Sequence, residues 1–160
     1  MENNYQLTES GFIQLKEELE QLKGSKRTEN LEALKEARSQ GDLSENADYD
    51  AARDEQARIE GRVKEIENIL KHSVIIKGNS RTRIISIGKK VTLDLIKEGK
   101  KIMESKEYTI VGNLEANPFQ GKISNESPLG KALIGKKKGH TVEFKAESGQ
   151  EMSAEIIDVK

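Results

Sequence analysis

The chain has 160 residues and no cysteine, which excludes a disulfide framework and thiolate zinc sites, and two histidines leave little for any other transition-metal centre. Charged side chains make up 34% of it, yet 27 basic and 28 acidic residues nearly cancel to a net −1. No apolar run exceeds three residues, the N-terminus is polar, and aromatics are 4% with no Trp; these exclude a transmembrane helix and a secretory signal, make the cytosol the expected compartment, and argue against a nucleic-acid platform built on stacking.

Residues 8–72 contain no proline and are dominated by Glu, Lys, Leu, Ala and Arg, the composition of long helices. Phe12, Leu15, Leu19 and Leu22 repeat at spacings of 3, 4 and 3, and Ile59, Val63, Ile66 and Leu70 at 4, 3 and 4. Both are coiled-coil seams. Between them the seam shrinks to Asn30, Ala33, Ala37, Ala47, Ala51 and Ala52. From Leu22 through Lys26, Asn30 and Ala33 to Ala37 the pattern slips by a four-residue stutter. Gly24 lies inside this arm and should weaken it by about 1 kcal/mol relative to Ala. Folding the chain about residue 44 sets Leu22 near Ile66 and Ala37 near Ala51, so an antiparallel hairpin over residues 1–75 is expected. Such an arm is too thin for a globular core; it is a probe or a dimerisation rod.

The expected turn is Gly41-Asp42-Leu43-Ser44. Gly41 suits the left-handed position after a helix, and Asp42 or Ser44 can cap the next one. Asp42, Glu45, Asp48 and Asp50 crowd this end. Carboxylates so close repel unless a cation is shared, and Mg²⁺ commonly takes only one or two protein carboxylates and completes its octahedron elsewhere. Asp42-x-x-Glu45 is equally the spacing of a capping box, and acids in a first helical turn are favoured by the macrodipole in any case. Lys35, Arg38, Arg53 and Arg58 flank the turn. They could steer a phosphate backbone or pair with Glu32, Glu36 and Asp54 as helical neighbours. Tyr49 could stack on a base or cover the turn. His72 and His140 have no ligand-spaced partner.

From about residue 74 onward Val, Ile, Thr, Gly and both prolines take over. The first 76 residues hold 11 basic and 17 acidic side chains, a net −6, whereas the remainder carries a net +5. An acidic module thus precedes a basic one, each with its own surface for a partner. Strands are expected at 84–87, 90–95, 107–111, 121–124, 141–145 and 154–159, with hairpin turns at Lys97-Glu98-Gly99 and Ser148-Gly149-Gln150. Pro128 followed by Leu129, Ala132, Leu133 and Ile134 marks one short helix. The fold class is α+β: a helical hairpin over 1–75, then a small antiparallel-sheet domain with one helix over 76–160.

Taken together, the run Ala37-Arg38-Ser39-Gln40-Gly41-Asp42-Leu43-Ser44-Glu45-Asn46-Ala47-Asp48-Tyr49-Asp50-Ala51-Ala52 resembles the hairpin tip of the bacterial GreA/GreB family of transcript cleavage factors. The resemblance continues in Asp54-Glu55-Gln56, Ile59-Glu60-Gly61, Tyr108-Thr109-Ile110-Val111-Gly112, Gly121 through Leu129, and Ala132-Leu133-Ile134-Gly135-Lys136. Departures fall at Thr28 and at Ala57-Arg58, away from the tip. The resemblance implies that the hairpin enters the secondary channel of RNA polymerase. Asp42 and Glu45 would share a Mg²⁺ with the polymerase, which itself cuts the 3′ end of the backtracked nascent RNA. It further implies tip support from Gly41, Leu43, Ser44, Asn46 and Tyr49, and an RNA-contacting basic patch at Arg38 and Arg53. The second half would be an FKBP-like domain docking through Glu126, Ser127 and Pro128. The chain would then be a monomeric accessory factor and not an enzyme, with no metal of its own and no membrane partner.

Overall fold

The computed structural model describes residues 4–42, 46–78 and 81–160. They divide into a helical unit, Phe12–Ser73, and a second unit in which Val74–Lys160 is joined by the segment ending at Gly11. The elements are β1 (Tyr5–Leu7), α1 (Glu9–Gln21), a π-helical turn (Leu22–Lys26), α2 (Arg27–Ser39), α3 (Ala47–Lys71), β2 (Ser73–Ile75), β3 (Lys90–Lys97), β4 (Lys100–Val111), β5 (Lys122–Ser124), α4 (Pro128–Leu133), β6 (Thr141–Lys145) and β7 (Glu151–Val159). Among the described residues no helix is long and apolar enough to cross a membrane.

The helical unit is the expected antiparallel hairpin, but its seam follows a different line. Instead of running through Lys26 and Ala33, it runs from Leu22 to Arg27, Asn30, Leu34 and Ala37. The five-residue step from Leu22 to Arg27 coincides with the π-helical turn, which accommodates one residue more than an α-turn. What reads in sequence as a stutter is thus absorbed locally, and Leu34 rather than Ala33 is buried. Opposite lie Ala52, Ile59, Val63, Ile66 and Ile69, all buried. Asn30 is buried within this seam, and its Nδ2 donates to the Ala52 carbonyl at 2.9 Å. A polar group satisfied in only one alignment penalises a slipped register. Arg27 grips Glu60 with two hydrogen bonds of 2.9 Å, and Arg62 grips Glu18 at 2.7 and 3.0 Å. Lys23 pairs with Glu67 alongside them. These pairs are half exposed, so each contributes about 1 kcal/mol at most.

In the second unit the strand order is β5-β4-β3-β7-β6. All neighbours are antiparallel except β4 and β5, which are parallel. Val91, Leu93, Ile110, Ala154 and Ile156 present one face to Leu133 of α4 and close the core. Both anticipated hairpin turns are present, with left-handed Glu98 and Gly99 in one and Gly149 in the other. Residues 84–87, expected as a strand, join no ladder. Ile85 and Ile87 alternate into the core, but only Ile84 forms a bridge, to Lys137. Strand β4 starts seven residues earlier than its apolar pattern suggests, because Lys100–Glu107 is exposed on both faces. Its register slips where Glu104 and Ser105 together face Asp94, so Ser105 adopts a φ of +47°. The carboxylate of Asp94, 4% exposed, holds this bulge by accepting from the Ser105 N–H and from Lys101 Nζ, each at 2.7 Å.

Residues 5–11, read from sequence as part of the hairpin, belong with the second unit. Strand β1 pairs with β2, Leu7 is fully buried, and its carbonyl accepts from the Ile76 N–H at 2.8 Å. Glu115 accepts from the Thr8 N–H at 2.7 Å and from its hydroxyl at 2.5 Å. The β1 backbone lies so close to Gly112 that a Cβ there would stand 2.0 Å from the Gln6 carbonyl oxygen. A strand of three residues carries too little periodicity to be read from sequence.

Two predictions follow from this packing. Leu7→Ala is expected to destabilise the second unit by about 3 kcal/mol, the usual cost of a large cavity in a closed core, measurable by urea denaturation of the full chain. The Lys101 ammonium, and after it the Ser105 N–H, hold the Asp94 carboxyl below its usual range. Its contribution is therefore present above the unfolded carboxylate pKa and lost as pH falls through the lower folded value. Asp94→Asn should remove that acid-side loss from a plot of urea midpoint against pH.

Candidate functional site

Helix α2 closes on Gln40, and the chain then turns through Gly41 at a φ of +112°, a conformation that disfavours any side chain. Asp42 follows, exposed to solvent. Leu43, Ser44 and Glu45 lie outside the described residues. The cap of the next helix is Asn46, where the spacing suggested Asp42 or Ser44. Its backbone is extended, and its Oδ1 accepts from the Tyr49 N–H at 3.1 Å. The same side chain donates through Nδ2 to the Ala37 carbonyl at 2.7 Å. One amide therefore satisfies an orphan donor of α3 and a carbonyl in the closing turn of α2. Asp48 and Asp50 occupy the first turn of α3, where the macrodipole accounts for them. Asp42 stands outside that turn, in the loop between the two helices.

Tyr49 is the gathering point of the nearby cations. The Arg38 guanidinium, from the last turn of α2, and that of Arg53, one turn beyond Tyr49 on α3, each lie 5.9 Å from its ring centroid. Arg53 Nη1 also donates to the phenol oxygen at 3.3 Å. Arg53 first and Arg38 second pull the phenol below its ordinary pKa. Neither reading of Tyr49 from the sequence anticipates that two guanidiniums engage its ring. Arg58 does behave as an ordinary helical neighbour, pairing with Glu55 at 3.3 Å.

Ser127 caps α4, its Oγ accepting from the Gly130 N–H at 3.1 Å and donating to the Ser124 carbonyl at 2.7 Å. Pro128 opens that helix, and the Glu126 N–H donates to Ser124 Oγ at 3.0 Å. The Glu126-Ser127-Pro128 loop is thus rigidly set. His72 Nδ1 lies 2.9 Å from the Asn68 carbonyl oxygen. Among the described residues there is no group of three or more His, Cys, Asp or Glu able to hold a metal. The donors at the tip are carboxylate oxygens, the type a Mg²⁺ ion takes, but Asp42 alone is no cage. Asn46 is the residue whose double role the sequence reading missed. An Asn directly before Ala47-Asp48 is itself a helix-start signal, and it competes with Asp42 and Ser44 for that assignment.

Residues 5–75 match a family described as "Transcription elongation factor, N-terminal", and residues 80–160 one described as "Transcription elongation factor, GreA/GreB, C-term". A transcription elongation factor GreA of Acholeplasma laidlawii is 55% identical over 152 residues, covering 95% of this chain and 94% of that protein. One from Bacillus cereus is 47% identical over 160 residues, covering 99% and 98%. Among solved structures, the GreA factor homolog 1 (Gfh1) of Thermus thermophilus aligns at 28% identity with a TM-score of 0.43, covering 99% of each chain.

The electrostatics at Tyr49 yield a direct check. Guanidinium charge favours phenolate, so as pH rises Tyr49 should ionise before an ordinary tyrosine, whereas burial should delay Tyr108. Ring-carbon NMR shifts of the tyrosines against pH should resolve this order. Arg53→Gln should move the Tyr49 midpoint upward and leave that of Tyr108 unchanged.

Proposed function

Because this chain belongs to the GreA/GreB family of transcription elongation factors, we propose that it places its helical hairpin in the secondary channel of RNA polymerase and stimulates the polymerase's own cleavage of backtracked nascent RNA. The observation that carries this reading is the solvent-exposed Asp42, set just past the left-handed Gly41 at the end of the hairpin. Asp42 and Glu45 would hold a Mg²⁺ jointly with the polymerase's own ligands. Such an ion, when bound, supplies the activation of water and the charge stabilisation of in-line phosphodiester hydrolysis. Asp42 contributes a hard oxygen donor at the end of a narrow support, and Asn46 keeps both helix ends closed behind it. Arg38 and Arg53 meet the extruded RNA. The second unit, which carries the positive balance of the chain, docks on the polymerase through the loop at Glu126, Ser127 and Pro128. Separating the two tasks between tethered units raises the effective concentration of the tip at its target. The chain works as a monomer and leaves catalysis to the polymerase.

Adding the protein to a stalled, backtracked elongation complex with Mg²⁺ should release short 3′ RNA fragments and restore elongation. Asp42→Asn and Glu45→Gln, which remove charge at nearly constant volume, should each lower the cleavage rate at saturating factor by about a hundredfold or more, while binding to the polymerase persists. Near-normal cleavage by either variant would sink the metal-sharing assignment. The purified protein should cut no RNA without polymerase; nuclease activity that co-purified with it would locate the chemistry elsewhere.

A further inference from the structure

Four of the five arginines of the hairpin engage partners on the opposite arm or on a shared ring, and Arg58 pairs with Glu55 on its own helix. Arg27 and Arg62 face carboxylates across the seam, whereas Arg38 and Arg53 converge on one aromatic ring from two different helices. Two guanidiniums brought together repel, and long side chains at the surface lose rotamer freedom when ordered. Here the negative face of the Tyr49 ring attracts both, and the phenol oxygen fixes one of them through Arg53 Nη1. Accepting from Arg53 leaves the phenol its own hydrogen as a further donor. Both guanidiniums are exposed, and Arg38 lies four residues before Asp42. A planar guanidinium fork matches phosphate oxygens, and an arrangement that already tolerates two cations gains most from one anion between them.

We infer that Tyr49 is a positioning residue that gathers Arg38 and Arg53 into a preorganised clamp for one phosphate of the extruded RNA strand. The inference rests on the proposed function and assigns Tyr49 a task different from stacking on a base. The ring sets the spacing and orientation of the two arginines, and the arginines make the contact. The Asn46 cap fixes the first turn of α3 from which Tyr49 projects, so the clamp is set relative to the helix end that carries it.

The test uses the full chain bearing Asp42→Asn, so that the RNA stays uncut. Its affinity is measured on polymerase complexes with and without an extruded 3′ segment, over a range of salt. The extruded segment is expected to tighten binding. Adding Tyr49→Leu should erase about three- to tenfold of that gain and lower the extra salt slope by about 0.7, the value for one phosphate on a single strand. Affinity for the complex without extruded RNA should not move. Tyr49→Trp, a stronger partner for cations, should retain both gain and slope, and Arg53→Lys should lose part of each. Should Tyr49→Leu unwind the tip by circular dichroism, Tyr49→Phe carries the same comparison, with about a twofold loss expected from the missing phenol oxygen and no loss overturning the clamp. An unchanged gain in Tyr49→Leu overturns it, and so does a lost gain at unchanged salt slope, which is the signature of base stacking. If the unmodified chain stimulates cleavage but extruded RNA adds nothing to binding, the clamp falls while the proposed function stands. If the unmodified chain does not engage the polymerase, the proposed function itself falls.

Discussion

At the end of the hairpin the side-chain amide of Asn46 joins the two arms. Asn46 donates to Ala37 on one arm and accepts from Tyr49 on the other. Two helix ends meeting at a turn leave several backbone groups without intrahelical partners, and water would fray both. Joining them through one residue fixes where α2 stops and α3 starts, and everything functional at this end is placed by that join. Arg38 belongs to the last turn before it, Tyr49 and Arg53 to the first two turns after it, and Asp42 to the loop between. A hydrophobic join could not do the same on so slender a support, because Ala37 and Ala52 provide little apolar area there.

Farther down the arms, register is set by different means. Asn30 is satisfied only opposite Ala52, and the bidentate pairs Arg27–Glu60 and Arg62–Glu18 add further alignment marks. None of these contributes much stability, but together they penalise sliding, which an all-aliphatic seam of similar spacing would tolerate. The π-helical turn works in the same direction. It lets Leu22 and Leu34 share a seam although their spacing does not fit an ideal α-helix.

The hairpin, its antiparallel sense, the glycine turn, α4 and most strands of the sheet were legible in the sequence because each has a strong periodic or turn signal. The phase of α2 was not, since Ala33 and Leu34 are both apolar and only the location of the extra residue decides between them. The cap was not, since four residues near the turn can all accept a hydrogen bond. The bulge at Ser105 and the strand before it were not, because Lys100–Glu107 shows no apolar alternation, its only apolar residues Ile102 and Met103 being adjacent and exposed, and its order derives from Asp94 across the sheet. At the candidate site, Asp42, Arg38, Arg53 and Tyr49 could each be singled out from sequence. That one ring would collect two arginines depends on the packing of α2 against α3, which no local spacing encodes.

The assignment of β1 to the second unit has a consequence for how the molecule is made. That unit is discontinuous: its first strand is synthesised, then the entire helical hairpin, and only then the segments that carry the Ile76 N–H and Glu115, the partners of Leu7 and Thr8. The hairpin is topologically an insertion, joined to its host by two chain crossings. Local helical contacts can form as soon as α3 emerges, whereas the host must wait for its C-terminal strands. A folded hairpin then shortens the effective loop that separates β1 from β2, and lowers the entropy lost when they pair. Vectorial synthesis would thus order the two units in time, with the insertion acting as the clasp that brings the ends of its host together.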